Sequence, residues 1–217
     1  MGEPVNVEVK FGQWIEQGFG LYKTNFGLLV LAMLIVFALG TVTLGILLPP
    51  LCAGFILITL RLLDGTEPPP VAGDVFKGFS CFLQSFLFGL VWFVVMMIGV
   101  VLLGLVPCVG QFAALFFCYA LEALLLFGLY LIAEQNLDFW TASTRSMEVV
   151  KTSFWPILAL TIVAGLIGSL GAIACGIGAI FTAPITFCII TVAYRDIFGG
   201  GPAAVQEAPR VTRMPAP

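Results

Sequence analysis

The sequence contains no histidine, and only 10% of its residues are charged. Without an imidazole there is no His-ligated haem, no His-carboxylate metal centre, no Ser-His-Asp or Cys-His catalysis and no phosphohistidine relay. Lys10, Lys23, Lys77 and Lys151 are the only lysines, and none stands inside an apolar run, which excludes a retinal-type Schiff base within a membrane. There is no basic cluster and the formal net charge is −3, so no nucleic acid is expected as a partner. The cysteines (52, 81, 108, 118, 175 and 188) show neither a CxxC pair nor metal-ligand spacing. They read as small buried hydrophobes. For Cys108 and Cys175 the alternative is a disulfide in an oxidising compartment. No cofactor is implied.

The scarcity of charge carries the class assignment. Soluble domains average about 25% charged residues, and this 217-residue chain, 60% hydrophobic with a mean hydropathy of +1.11, lacks the polar surface of a free globular protein. Apolar runs fall at 26–46, 46–63, 86–106, 111–133, 155–175 and 177–194. A helix needs about 20 residues to cross the hydrocarbon core. Backbone that cannot be hydrated must bond internally, and the runs lack the alternation of a barrel strand. The predicted fold class is therefore all-α: a polytopic membrane bundle of six helices in three hairpins. Gly45 with Pro49-Pro50, Pro107 to Gly110, and Gly171 to Gly178 form the tight turns.

The nine Lys and Arg residues lie in the N-terminal tail, the two long connections, or the end of the last run and the C-terminal tail, while the three hairpin turns carry no charge. By the positive-inside rule, both termini and the long connections are expected on the cytoplasmic side of a cell (inner) membrane. The opening MGEPVNVEVK places acidic residues where a signal peptide has basic ones, so the first apolar run is expected to be a retained span.

Each hairpin follows a segment of helical periodicity. The apolar stripes are Phe11, Trp14, Ile15, Gly18, Phe19, Tyr22 and Phe26; Val75, Phe76, Phe79, Phe82, Leu83 and Phe86; and Phe139, Trp140, Ser143, Met147, Val150 and Phe154. With charged residues on the other faces, such helices are expected to lie in the interface. The plainer alternative makes each a straight extension of the following span. The interfacial anchors expected are Trp14, Lys23, Arg61, Lys77, Trp140, Arg145, Lys151 and Arg195.

The unit of amphipathic helix, span, turn and span occurs three times, at 11–65, 73–134 and 138–198. Lys23-Thr24-Asn25-Phe26 matches Lys151-Thr152-Ser153-Phe154, and Gln84-Ser85-Phe86 stands for the middle copy. Pro50, Arg61 and Gly65 match Pro184, Arg195 and Gly199. Units of two spans keep one orientation, so a pseudo-threefold axis along the membrane normal is expected rather than an inverted repeat. Tails at 1–10 and 199–217 flank the repeats, the latter rich in Gly, Pro and Ala and expected to be disordered.

Four stretches carry a resemblance: Pro50-Leu51 through Gly54 to Arg61 and Gly65; Gly73-Asp74-Val75-Phe76-Lys77-Gly78-Phe79; Phe139-Trp140 through Ala142 and Ser146 to Val149-Val150; and Ala193-Tyr194-Arg195-Asp196-Ile197-Phe198-Gly199. In order and spacing, over residues 10 to 200, the chain resembles a family of six-span prokaryotic membrane proteins without an assigned activity. That family is distantly similar to the membrane domain attached to some glycerophosphodiester phosphodiesterases. The resemblance implies a topology and no activity, because no soluble phosphodiesterase domain accompanies it in these residues.

Glu122 is the one ionisable residue deep within a run. A carboxylate at the bilayer centre costs about 2.5–3.5 kcal/mol, so it is expected to face the bundle, protonated or paired. It reads either as a proton- or cation-coupling site or as a hydrogen-bonding structural acid, and the second is favoured because no second intramembrane charge accompanies it. Arg61 and Arg195, at the ends of their spans, suit the helix macrodipole and anionic headgroups. The functional expectation is a non-enzymatic membrane scaffold or partner-binding subunit, its partners the lipid bilayer and other membrane proteins. The alternative is a small transporter or channel with a pseudo-threefold pathway. Cysteine-accessibility labelling of Glu67→Cys and Ser143→Cys is predicted to report the same side of the membrane, and opposite-side labelling overturns the topology.

Overall fold

The computed structural model describes residues 10–106, 109–173 and 178–199, and no strand occurs among them. Cys108, Cys175 and the tail from residue 200 lie outside the described residues. In chain order the elements are α1 (Phe11–Thr24), α2 (Phe26–Val42), α3 (Leu48–Leu63), a 3-10 segment (Ala72–Cys81), α4 (Phe82–Gly104), α5 (Val109–Leu125), α6 (Gly128–Gln135), α7 (Phe139–Thr152), α8 (Phe154–Ile173) and α9 (Ala179–Phe198).

Three stretches are long and apolar enough to cross a membrane: Ala72–Gly104, Val109–Gln135 and Ala179–Phe198. Two more qualify if a bent pair counts as one span, α1 with α2 through 90° and α7 with Phe154–Gly168 through 109°. The six runs read from the sequence thus become three to five. The shortfall has a simple cause in α3: its 16 residues make a helix of about 24 Å, against a hydrocarbon core of about 30 Å. The exterior fits a membrane protein. Ser85 is the one buried residue of α4, whose outward Phe93, Val94, Met97, Ile98, Val101 and Leu102 form an apolar surface of a kind soluble proteins do not carry.

The bends decide how the amphipathic segments sit. Asn25 ends α1: its N–H bonds the Leu21 and Tyr22 carbonyls, and its side-chain amide donates to Leu21 as well. The N–H of Ser153 likewise closes α7 on Val150. α1 and α7 are therefore separate helices turned steeply from α2 and α8, not straight extensions. The middle segment differs from expectation, being 3-10 rather than α-helical. Its phenylalanines suit that winding. Three residues per turn eclipse positions i and i+3, and Phe76, Phe79 and Phe82 stack at centroid separations of 6.2 and 6.0 Å.

Two stripes read from the sequence are corrected by the structure. α1 buries Trp14, Gly18 and Tyr22 while Phe19 is 41% exposed. Trp14, expected as an interfacial anchor, is 2% exposed and packed inside the protein. α7 buries Ala142, Ser143, Ser146 and Val150 and leaves Trp140 outside. Small residues form its contact face because its neighbours approach closely, and the large aromatic is excluded. Ser143 is therefore a poor labelling position, and exposed Glu148 on the same helix reports the side of α7 instead.

The three amphipathic segments each rest on a closing helix of another hairpin. The 3-10 segment lies on α3, where a Cβ on Gly54 would fall onto the Val75 carbonyl and one on Gly78 onto the Pro50 carbonyl. α1 lies on α9, where a Cβ on Gly18 would stand 2.7 Å from the Ile189 Cα. α7 lies across the break between α5 and α6. There Ser146 donates to the Leu124 carbonyl at 2.8 Å and accepts the Phe127 N–H at 3.3 Å, satisfying groups that an interrupted helix leaves unpaired. One core gathers Trp14, Ile56, Leu60, Tyr130, Leu131 and Tyr194; a second joins Leu29, Met33, Val36, Phe55 and Ile58 to Val75 and Cys188.

The backbone approach at Gly54 predicts a sharp contrast between two glycines. Gly54→Ala is expected to destabilise the protein by about 1–3 kcal/mol through overpacking. At Gly73 nothing stands within 4 Å of the Cβ position, so Gly73→Ala is expected to be neutral or mildly stabilising. Denaturation of both variants in detergent checks this, and equal losses would remove the close-approach argument.

Candidate functional site

The polar chemistry of the chain gathers where helix ends meet. Arg195, in the last turn of α9, projects its guanidinium between two carboxylates. Its Nε donates to Asp64 Oδ1 at 2.9 Å and its two terminal nitrogens reach Asp64 Oδ2 and Glu134 Oε1. The planar fork of arginine is what allows one cation to serve both. Glu134 also accepts the Tyr194 hydroxyl at 2.6 Å. Gln135 Nε2 donates to that hydroxyl at 3.4 Å, and Gln135 Oε1 accepts from Arg145 at 3.2 Å. The cluster ties α6, α7 and α9 to the residue that caps α3.

A second set repeats the logic between α3 and the 3-10 segment. Arg61 donates to Asp74 at 2.8 Å and to the Pro68 carbonyl at 2.9 Å, while Lys77 meets the other oxygen of Asp74 at 3.0 Å. The third is neutral on one side: the Trp14 indole N–H donates to Asp196 at 3.1 Å, joining α1 to α9. Between these ends and the interior runs a short chain of hydroxyls. Thr59 and Thr191 meet at 2.8 Å, Thr191 donates to Tyr130 at 3.4 Å, and Tyr130 donates to the Phe187 carbonyl at 3.1 Å. Both threonines are fully buried, so the centre there is closed by paired side chains.

The anchors named from the sequence thus divide. Arg61, Arg195 and Lys77 are ion-paired, Arg145 bonds Gln135, and Trp14 is internal. Lys23 stands 4.7 Å over the Phe19 ring, a cation–π contact. Trp140, at 59% exposure, and the exposed Lys151 keep outward positions suited to an interface. Asp138 caps α7 by accepting the Thr141 N–H at 3.0 Å, and that bond holds its carboxyl below the usual carboxylate range.

Glu122 requires correction. It does not face the bundle: it is exposed on the outside of α5. Leu124, two residues on, accepts a bond from Ser146 of α7, while Glu122 stands midway along the apolar stretch Val109–Gln135. Among the described residues, no group of three or more His, Cys, Asp or Glu side chains is placed to hold a metal ion.

Sequence reading located Arg61 and Arg195 and missed their partners. Asp64 and Glu134 are 131 and 61 residues from Arg195, and no local spacing ties them to it. The one available signal was the position of each at the end of a closing helix. No family model, curated protein or solved structure matches the chain.

Removing the shared cation leaves two carboxylates facing each other. Arg195→Ala is expected to cost about 2 kcal/mol, below the 3–5 kcal/mol of a fully buried pair, because the side chains of Arg195, Asp64 and Glu134 are 17%, 34% and 29% exposed. Arg195→Lys is expected to recover part of the loss, since an ammonium is a point charge. Thermal denaturation of both variants checks the order, and a lysine variant as stable as wild type would show that the fork geometry contributes nothing.

Proposed function

We propose that this chain is a multipass membrane protein that acts as a non-enzymatic scaffold or partner-binding subunit, built from three related hairpin units closed into a ring. The observation that carries this reading is the closed centre: Thr59, Thr191 and Tyr130 bond one another there, and tight backbone contacts at Gly54, Gly78 and Gly18 surround them. A conducting pathway would need polar groups left for water or an ion. Here Arg61, Arg195, Asp64, Asp74 and Glu134 lie at or near helix ends and are paired with each other.

The ring reading draws support from the three joints. Gly18, Gly78 and Ser146 each stand eight residues before an aligned phenylalanine: Phe26, Phe86 and Phe154. Each also makes a close contact with the closing helix of the unit before it, the first unit resting on the last. A cyclic order of contacts is what a pseudo-threefold arrangement produces. On this reading α1, α7 and the 3-10 segment lie toward the cytoplasmic interface with Trp140 and Lys151 among the headgroups, and both termini share that side.

Reconstitution in liposomes tests the assignment. Wild type and Glu122→Gln are both expected to leave proton and cation permeability at the level of protein-free vesicles, with stabilities within about 1 kcal/mol of each other. A pH-dependent flux present in wild type and lost in Glu122→Gln, with stability unchanged, would overturn the scaffold reading in favour of transport.

A further inference from the structure

We infer that the α2–α3 hairpin enters the hydrocarbon layer and returns without crossing it, so that its turn lies near mid-depth and is covered by the acyl chains of lipids in the opposite leaflet. The inference rests on the membrane reading above and goes beyond it.

The depth of the turn is read from its neighbour. Leu44, Gly45 and Ile46 share a cavity of about 420 Å³ with Gly89, Leu90 and Phe93 of α4. A Cβ on Gly89 would lie 2.7 Å from the Pro49 ring. With its 23 residues, α4 is about 35 Å long, and Gly89 to Phe93 lie about 10–16 Å from its first residue at 1.5 Å per residue. Beyond Phe93 the helix runs on through Val94, Met97, Ile98, Val101 and Leu102, all exposed, before its own turn begins at Leu105. If α4 spans the bilayer, the turn beside its middle cannot have reached the far interface. The length of α3 agrees, since a helix of 16 residues falls short of the core thickness.

The turn is also built for hydrocarbon rather than water. Every backbone N–H from Thr43 to Leu48 finds a partner within the hairpin: Thr43 to Leu39, Leu44 to Thr41, Gly45 to Gly40, Ile46 to Thr43, Leu47 to the Thr43 hydroxyl and Leu48 to Gly45. The Thr41 and Thr43 hydroxyls donate back to the Phe37 and Leu39 carbonyls at 2.8 and 2.7 Å. What faces outward is apolar, with Val42 at 80%, Leu44 at 91% and Ile46 at 54% exposure. A water-facing turn needs none of this internal satisfaction and ordinarily carries polar Asn, Asp or Ser at its tip. Here Leu44 takes the left-handed conformation, at φ +51°, where Asn or Gly is the usual choice. In lipid, an unsatisfied backbone group costs several kcal/mol, and a turn can persist there only if its groups are bonded internally. The cavity walls are apolar too, which suits acyl chains and offers water no partner.

The test compares two probes. In a background carrying Cys108→Ser and Cys175→Ser, Leu44→Cys or Leu105→Cys is labelled with a small fluorescent maleimide in detergent. The unsubstituted background serves as the labelling blank. Each protein is then reconstituted into phosphatidylcholine vesicles containing lipid spin-labelled near either the headgroup end or the methyl end of its acyl chain. The Leu105→Cys probe is expected to be quenched more by the headgroup-end label, and the Leu44→Cys probe more by the methyl-end label. That reversal of order is the predicted result. Should Leu44→Cys prevent folding, Ile46→Cys, on the same exposed turn, is read in its place. A position 44 probe that ranks the two quenchers as position 105 does would overturn the inference and give a full crossing. Quenching of position 44 by neither label would also overturn it, placing protein, such as a second copy of this chain, over the turn. Loss of quenching at position 105 as well would mean that the α4–α5 hairpin is outside the bilayer, so that the membrane reading itself fails.

Discussion

Apolar helices have little reason to prefer one another over lipid, because acyl chains are as apolar as leucine. Association must then come from close backbone approach and from polar contacts, and both are concentrated at the same joints. At Gly54 and Gly78 two backbones touch, at Gly18 a helix lies directly on the Ile189 backbone, and at Ser146 a hydroxyl bridges a broken helix. A larger side chain at any of these sites would separate the elements and disengage the bonds that flank them. Arg61 with Asp74, Trp14 with Asp196 and Arg145 with Gln135 all span the same joints.

The ion pairs follow from that placement. A charge left in hydrocarbon is expensive, while a charge at a helix end can reach its opposite and still touch water. Arg195 shows the arrangement most fully, since one guanidinium draws together the end of α3, α6 and α9. Glu122 shows its complement, standing on the exposed outside of α5 and away from the buried cores. Polar groups in the interior are hydroxyls, which bond one another or a backbone carbonyl and carry no charge to solvate. Such an interior holds helices in register.

The unequal hairpins matter for how such a body would sit in a bilayer. α4 and α5 form the tall hairpin, with Gly99 set against the Phe117 ring, while α2 and α3 turn back beside the lower half of α4. Lipids on that side would meet a shorter protein than lipids around α4 and α5. Such local mismatch is accommodated by thinning or by tilt at modest cost, and it gives the outline of the bundle a polarity that an exact threefold would lack.

Much of this was legible in the sequence, for reasons of period and composition. Rare charge and long apolar runs without alternation determined the helical class. The uncharged turn at Gly45 located the α2–α3 hairpin, and amphipathic stripes located α1 and α7, because those signals depend on residues near one another in the chain. The winding of the middle segment was not legible, since the stacking of Phe76, Phe79 and Phe82 satisfies a 3-10 helix and an α-helical stripe alike. Nor was the inward turn of Trp14, whose partner Asp196 is 182 residues away. The outward direction of Glu122 was not legible either, because which side of α5 is covered depends on helices distant in the chain. Local pattern by itself determined that the chain is helical and where its apolar stretches fall. Only the tertiary structure decided which helix each face meets, because backbone contact at a glycine depends on what stands opposite, and a sequence states that nowhere.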